Sequence, residues 1–160
     1  MSYAGETGER SVIAVASGEM RRLHMKSGTV GSFVATGSLT RGQYGLYRWD
    51  MPAQAGGAGG HFHRGFSEAF YVIEGSPTFF DGSAWTPGHP GDYLYVPEGG
   101  IHGFRNDSDA SASMLILFAP GIAREEYFLE LEEIGRTGRE MTKADWADLY
   151  ARHDQVMVEP

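Results

Sequence analysis

The 160 residues contain no cysteine, which removes disulfides, thiolate zinc sites and a cysteine nucleophile together. Any metal must therefore be held by nitrogen and oxygen donors. Long apolar runs are missing too. Near the start, Val12 to Ala16 is too short for the hydrophobic region of a signal peptide or for a membrane span, so a cytoplasmic protein is expected. Positive charge is also scarce: 13 Lys and Arg stand against 21 Asp and Glu, for a net charge of -8 with no basic stripe. Such a surface repels phosphate backbones and anionic lipid, so neither nucleic acid nor a membrane is an expected partner.

What the chain has in quantity is glycine, 23 residues, with seven prolines set among runs of Val, Ile, Phe and Tyr. That pattern suits short strands and tight turns, and the length suits one domain, taken as residues 1–160. From Ser11 to Asp50 the runs SVIAV, MRRLHM, SFVATGSL and YGLYRW predict three or four strands. Pro52 to Gly60 is glycine-rich and reads as a loop that leads into His61. EAFYVIEG, PTFFDGSAWT, DYLYVPEGG, GFRNDS and SMLILFAP follow, each of strand length and each closed by Gly, Pro, Asn or Asp.

After Pro120-Gly121 the pattern changes. Tyr127, Phe128, Leu131 and Ile134 have helical spacing, and a second helix is expected from an N-cap at Thr142. That helix places Trp146, Leu149, Tyr150 and His153 on one face, with Gly135 and Gly138 marking the break between the two. Residues 121–160 hold five Lys and Arg and ten Asp and Glu, so most of the negative charge falls here and reads as a solvated helix face.

The chemistry gathers in two segments. In GGHFHRGFSEAFYVIEG, His61 and His63 are two apart, so an extended Phe62 sends both imidazoles to one side and lets them share an ion. Glu68 begins an alternating run in phase with Phe70 and Val72. A carboxylate lining an apolar interior needs a partner, and a cation is an economical one. In GDYLYVPEGGIHGFRN, the turn at Pro97, Gly99 and Gly100 can bring His102 back beside the first pair. His24, His89 and His153 lie outside both segments and read as surface or satisfied core groups. Tyr47, Trp49, Tyr71, Phe79, Phe80, Tyr93, Tyr95 and Phe104 read mostly as core, with two or three lining a pocket.

These segments resemble the two motifs of the cupin superfamily. His61, His63, Glu68 and Gly75 fit the first motif, with Ala55 and the adjacent Gly56 where a leading glycine is usual. Gly91, Pro97, Gly99, His102 and Asn106 fit the second throughout, and 15 residues separate Gly75 from Gly91. The resemblance implies an all-β fold, a double-stranded β-helix or jelly-roll barrel over about 30–120, with a C-terminal helical extension over about 122–153. It implies one divalent transition metal held by His61, His63, Glu68 and His102, with iron, manganese or nickel favoured over zinc, cobalt or copper.

The chain looks like small bacterial cupins related to flavonol (quercetin) dioxygenases. That likeness implies dioxygenation of a small enolic or phenolic substrate with O₂, with Glu68 remaining a ligand or acting as general base. Two alternatives stay open: a non-redox metal-dependent cyclase or isomerase, in which the ion polarises a carbonyl, and a small-molecule-binding module. A homodimer is expected, built from the strands before Gly31 and the C-terminal helices.

Overall fold

The structure is a computed structural model that describes residues 3–158; residues 1, 2, 159 and 160, the ends of the expected 1–160 domain, lie outside them. After a short 3₁₀ turn at Ser17–Glu19, ten strands run to Ala119: β1 Arg22–His24, β2 Val30–Ala35, β3 Gly45–Met51, β4 Ala58–Phe62, β5 Ser67–Glu74, β6 Thr78–Phe80, β7 Trp85–Pro87, β8 Tyr93–Val96, β9 His102–Arg105 and β10 Ala112–Ala119. Two helices, α1 Arg124–Thr137 and α2 Lys143–Arg152, and a last strand, β11 Val156–Met157, complete the order. The strands make one six-stranded sheet, β1-β2-β3-β10-β5-β8, and one five-stranded sheet, β11-β4-β9-β6-β7. All pairings are antiparallel, and the two sheets form a double-stranded β-helix with a helical part at its C-terminal end.

Alternation decides what lies inside. Tyr47, Trp49 and Met51 of β3, Phe70 and Val72 of β5, and Met114, Ile116 and Phe118 of β10 all have buried side chains two residues apart. Tyr71, Tyr93 and Tyr95 have the opposite phase and are exposed, which corrects their reading as core; Tyr47, Trp49, Phe79 and Phe104 are buried as expected. The motif glycines have a conformational reason. Gly75 has φ of 73° and its missing side chain leaves room for the Ser111 carbonyl. Gly99 has φ of 79°, and its N–H donates to the His63 carbonyl at 2.7 Å, tying the two motif segments together.

Several expectations need correction. SVIAV forms no strand: Val12 and Ile13 are exposed, and no sheet edge pairs with them. The glycine-rich stretch is a loop only up to Gly57, because β4 starts at Ala58. PTFFDGSAWT is a hairpin of two strands, β6 and β7, turned at Asp81, whose carboxylate accepts from the Ser83 and Ala84 amides. Helix α1 runs through Gly135 and stops at Gly138, which takes the left-handed conformation. A side chain at Gly135 would press on Lys26, so glycine there lets α1 lie close to the β1–β2 turn. Thr142 caps α2 in a capping box with Asp145, whereas His153 sits just past the helix. Strand β11, which no sequence signal announced, adds to the edge of β4.

Helix α1 does not project from the barrel. Phe128 meets the rings of Tyr47 and Trp49 at 5.2 and 4.8 Å, and Tyr47 donates its hydroxyl proton to Glu125 at 2.6 Å. The same Glu125 oxygen accepts from the Gly37 amide at 3.0 Å. Burial and the neighbouring Glu125 carboxylate push the Tyr47 phenol far above its ordinary pKa, so it remains a donor.

Candidate metal centre

His61 and His102 are register partners across β4 and β9, so their rings face each other with centroids 4.3 Å apart. His63 follows the end of β4, and its ring stacks on Phe66 at 4.2 Å. Glu68 comes from the opposite sheet, near the start of β5, where it pairs with Phe118 and Val96. The four side chains thus bridge the two sheets, and one donor atom from each lies within 4.8 Å of the others. All four residues are at most 3% exposed.

Their outer contacts leave the inner nitrogens available. His61 Nδ1 is 2.7 Å from the Gly59 carbonyl, His63 Nδ1 is 2.6 Å from the Asp154 carbonyl and His102 Nδ1 is 3.0 Å from the Gly100 carbonyl. Carbonyls only accept, so each Nδ1 carries the proton and each Nε2 presents a lone pair when the ring is neutral. His63 Nε2 is buried without a hydrogen-bond partner, although Glu68 Oε2 lies 3.2 Å away. Burial and the neighbouring His102 lower His61 to about 3, so it is neutral at ordinary pH.

Glu68 and His102 are in direct contact inside the cluster. His102 Nε2 is 2.7 Å from Glu68 Oε2. Burial opposes charge on His102, but the hydrogen bond to Glu68 and its negative charge outweigh that cost and raise the His102 pKa. Burial likewise opposes charge on Glu68, yet the two imidazoles hold it well below the usual carboxylate range. The orphaned Nε2 of His63, the neutral imidazole of His61 and a charged carboxylate facing inward make a set that could hold a divalent transition metal.

The C-terminal tail supports this cluster, and sequence reasoning missed it. The Asp154 backbone orients His63, and its carboxylate accepts from the Arg64 and Gly65 amides at 2.7–3.1 Å. A signal existed only in hindsight: Asp154 has φ of 49°, an unusual conformation that a single Asp in a tail does not advertise. Asn106 is a builder of the loop, not a ligand: its amide group donates to the Pro52 and Ala110 carbonyls, and its oxygen accepts from Ser108. The isolated histidines stay apart from the cluster. His24 is exposed, His89 is exposed beside Asp92, and His153 lies 2.7 Å from Glu130.

A cavity of about 970 Å³ opens beside the cluster, with His61, Glu68, Phe118, Arg124, Tyr127 and Trp146 in its walls. Helices α1 and α2 and strand β11 supply one side of it, so the C-terminal part encloses the space next to the cluster. Apolar walls with a few convergent polar groups are what a small-molecule site requires.

A two-sheet barrel with three histidines and one carboxylate converging inside it defines a class of small metal-site β-barrels. Residues 47–118, just under half of the chain, match the family model described as the cupin domain, and with the fold they support a member of the cupin superfamily. Quercetin 2,3-dioxygenase of Bacillus subtilis (strain 168) is 36% identical over 67 residues, a stretch covering 39% of this chain and 18% of that enzyme. The match therefore spans under a fifth of that enzyme's length. Among solved structures, KdgF from Halomonas sp. superposes with a TM-score of 0.60 at 17% identity, over 69% of this chain and 96% of that one. The polyketide cyclase RemF from Streptomyces resistomycificus gives 0.57 at 18% identity, over 68% and 79%. A predicted oxalate decarboxylase from Thermotoga maritima gives 0.59 at 20% identity, over 68% and 99%. At these identities the likeness is one of fold.

Proposed function

We propose that this chain is a metal-dependent cupin enzyme that dioxygenates a small enolic or phenolic substrate. The observation that carries the reading is the buried cluster of His61, His63, Glu68 and His102, each imidazole oriented through Nδ1, with His61 and Glu68 in the wall of a largely apolar cavity. The sequence likeness to quercetin 2,3-dioxygenase, whose matched stretch is 36% identical, supports this chemistry over the others the fold hosts.

In this reading the three Nε2 atoms and a Glu68 oxygen hold one divalent ion, with iron, manganese or nickel favoured. Such an ion supplies Lewis acidity toward a substrate oxygen and a place for O₂. The protein's own residues do the rest. The carbonyls of Gly59, Gly100 and Asp154 keep the imidazoles in one tautomer. Phe118, Tyr127 and Trp146 exclude water and pack against a planar substrate. Glu68 is ionised but a weak base while His102 donates to it; released from that hydrogen bond, it can take the proton of an enol or phenol.

The deciding measurement is elemental analysis of protein purified from its own host without added metal, followed by O₂ uptake with flavonols and simpler enols. Stoichiometric iron, manganese, nickel or copper with substrate-dependent O₂ consumption is the expected result. Zinc alone and no O₂ uptake would replace this reading with carbonyl polarisation in a cyclase or isomerase. Absence of any metal would replace it with a binding module.

A further inference from the structure

Arg124, the first residue of α1, is 3% exposed, and neither the barrel nor the metal centre accounts for it. Its Nη1 donates to the His153 carbonyl at 2.9 Å and its Nη2 to Gln155 Oε1 at 2.7 Å. The third nitrogen, Nε, is buried without a partner. Arg124 takes part in no ion pair among the described residues. Glu68 and Asp154 act on it only through space. Its guanidinium lies 4.1 Å over the Tyr127 ring, with Phe66, Phe118 and Phe128 at 5.5–5.6 Å.

A permanently charged group buried without a counter-ion is expensive, and rings repay only part of its lost hydration. If Arg124 served only to tie α1 to the tail, a neutral side chain would do so at lower cost. Two further facts give the charge a use. Arg124 lines the same cavity as His61 and Glu68. Phe66 also connects the two sites, because it carries His63 on its ring and has the Arg124 guanidinium 5.6 Å from its centroid. Gln155 and the His153 carbonyl fix the plane of the guanidinium, and a planar fork held in place suits a carboxylate better than a lysine would.

We propose that Arg124 is the anion-recognising residue of the cavity and that the substrate is a small carboxylate-bearing organic acid. Gln155 is the positioning residue that aims the fork. The proposal rests on the reading of the cavity as the substrate site, and it adds the charged handle that orients the substrate toward the histidines.

The test uses the full chain after metal removal by a chelator, so that a carboxylate cannot be held by an ion. Salicylate and its neutral counterpart salicylamide are titrated into it by calorimetry. The wild-type protein is expected to prefer salicylate by about tenfold or more, and Arg124→Met to lose the preference while melting as a folded protein. No preference in wild type, or the same preference in Arg124→Met, would overturn the proposal.

A readout that does not depend on the variant's folding is ¹⁵N NMR of the arginine Nε–H groups in wild type. One buried resonance should move with salicylate and stay put with salicylamide; if none moves, the assignment of the site is wrong. The metal reading is judged separately, by the metal content of His102→Ala. Loss of that reading would leave the metal-free carboxylate preference intact as evidence for Arg124.

Discussion

At the scale of single residues, the centre is a set of groups made costly by burial and made useful by orientation. His61→Ala or His102→Ala removes one of four inward donors but no part of the aromatic core. Each variant is expected to lose stoichiometric metal while keeping a folded barrel, since the core does not depend on the ion as a zinc finger does. Elemental analysis beside far-UV circular dichroism checks this, and full occupancy in both variants would refute the site.

The contact between Glu68 and His102 gives a pH dependence with a definite sign. Because the His102 pKa is raised, an acidic solution keeps its Nε2 protonated, and a metal must displace that proton to bind. Affinity should therefore rise with pH and level off once His102 is neutral, changing about tenfold per pH unit on the acidic side. His61, lowered to about 3, adds no step in the same range. Calorimetric zinc titrations at several pH values would show the slope, and a flat profile would contradict the raised His102 pKa.

At the scale of elements, the tail decides the quality of the centre. Ending the chain at His153 removes β11, the Asp154 carbonyl that orients His63, and the Asp154 carboxylate that holds the Arg64 and Gly65 amides. Metal affinity is expected to fall about 10- to 100-fold with the barrel still folded, as for other lost outer contacts of ligating histidines. A chelator competition assay measures it. Helix α1 is anchored differently, through Phe128 against Tyr47, Trp49 and Phe118. Phe128→Ala should cost about 3–5 kcal/mol in urea unfolding, because the ring fills the joint between helix and barrel. A loss near zero would mean that α1 does not pack there in solution.

At the scale of the whole molecule, the apolar face of the C-terminal part is spent on its own barrel, where Tyr127, Phe128 and Leu149 are buried. Among the described residues, the outer face of β5 and β8 gathers four exposed apolar groups: Tyr71, Ile73, Tyr93 and Tyr95 lie on paired strands. The sequence reading placed a homodimer on the strands before Gly31 and the C-terminal helices; with those helices packed on the barrel, we expect the pairing on this face instead, since a twofold axis lets one patch serve both copies. Light scattering should give twice the chain mass of 17.5 kDa, and Tyr93→Asp should weaken the association. A single species at the chain mass in the wild-type protein would sink the dimer.

Residues close in sequence and governed by a short period were legible without a structure. The alternation of β3, β5 and β10, the cap at Thr142 and the two motifs carrying His61, His63, Glu68 and His102 each depend on local geometry. Period-two alternation says that residues divide between two faces but does not say which face is inside, so Tyr71, Tyr93 and Tyr95 were misplaced. The rest depends on contacts between distant parts of the chain. His63 meets Asp154 across 91 residues, Arg124 meets Gln155 across 31, and the cavity has walls from both the barrel and the tail. The sequence by itself therefore determined a strand-rich chain and the pairing of His61 with His63 two residues apart, while the barrel and the set of four donors followed from its resemblance to the cupin motifs. Only the tertiary structure decided how those donors are oriented and which charge shares their cavity, because packing, not period, brings the tail to the site.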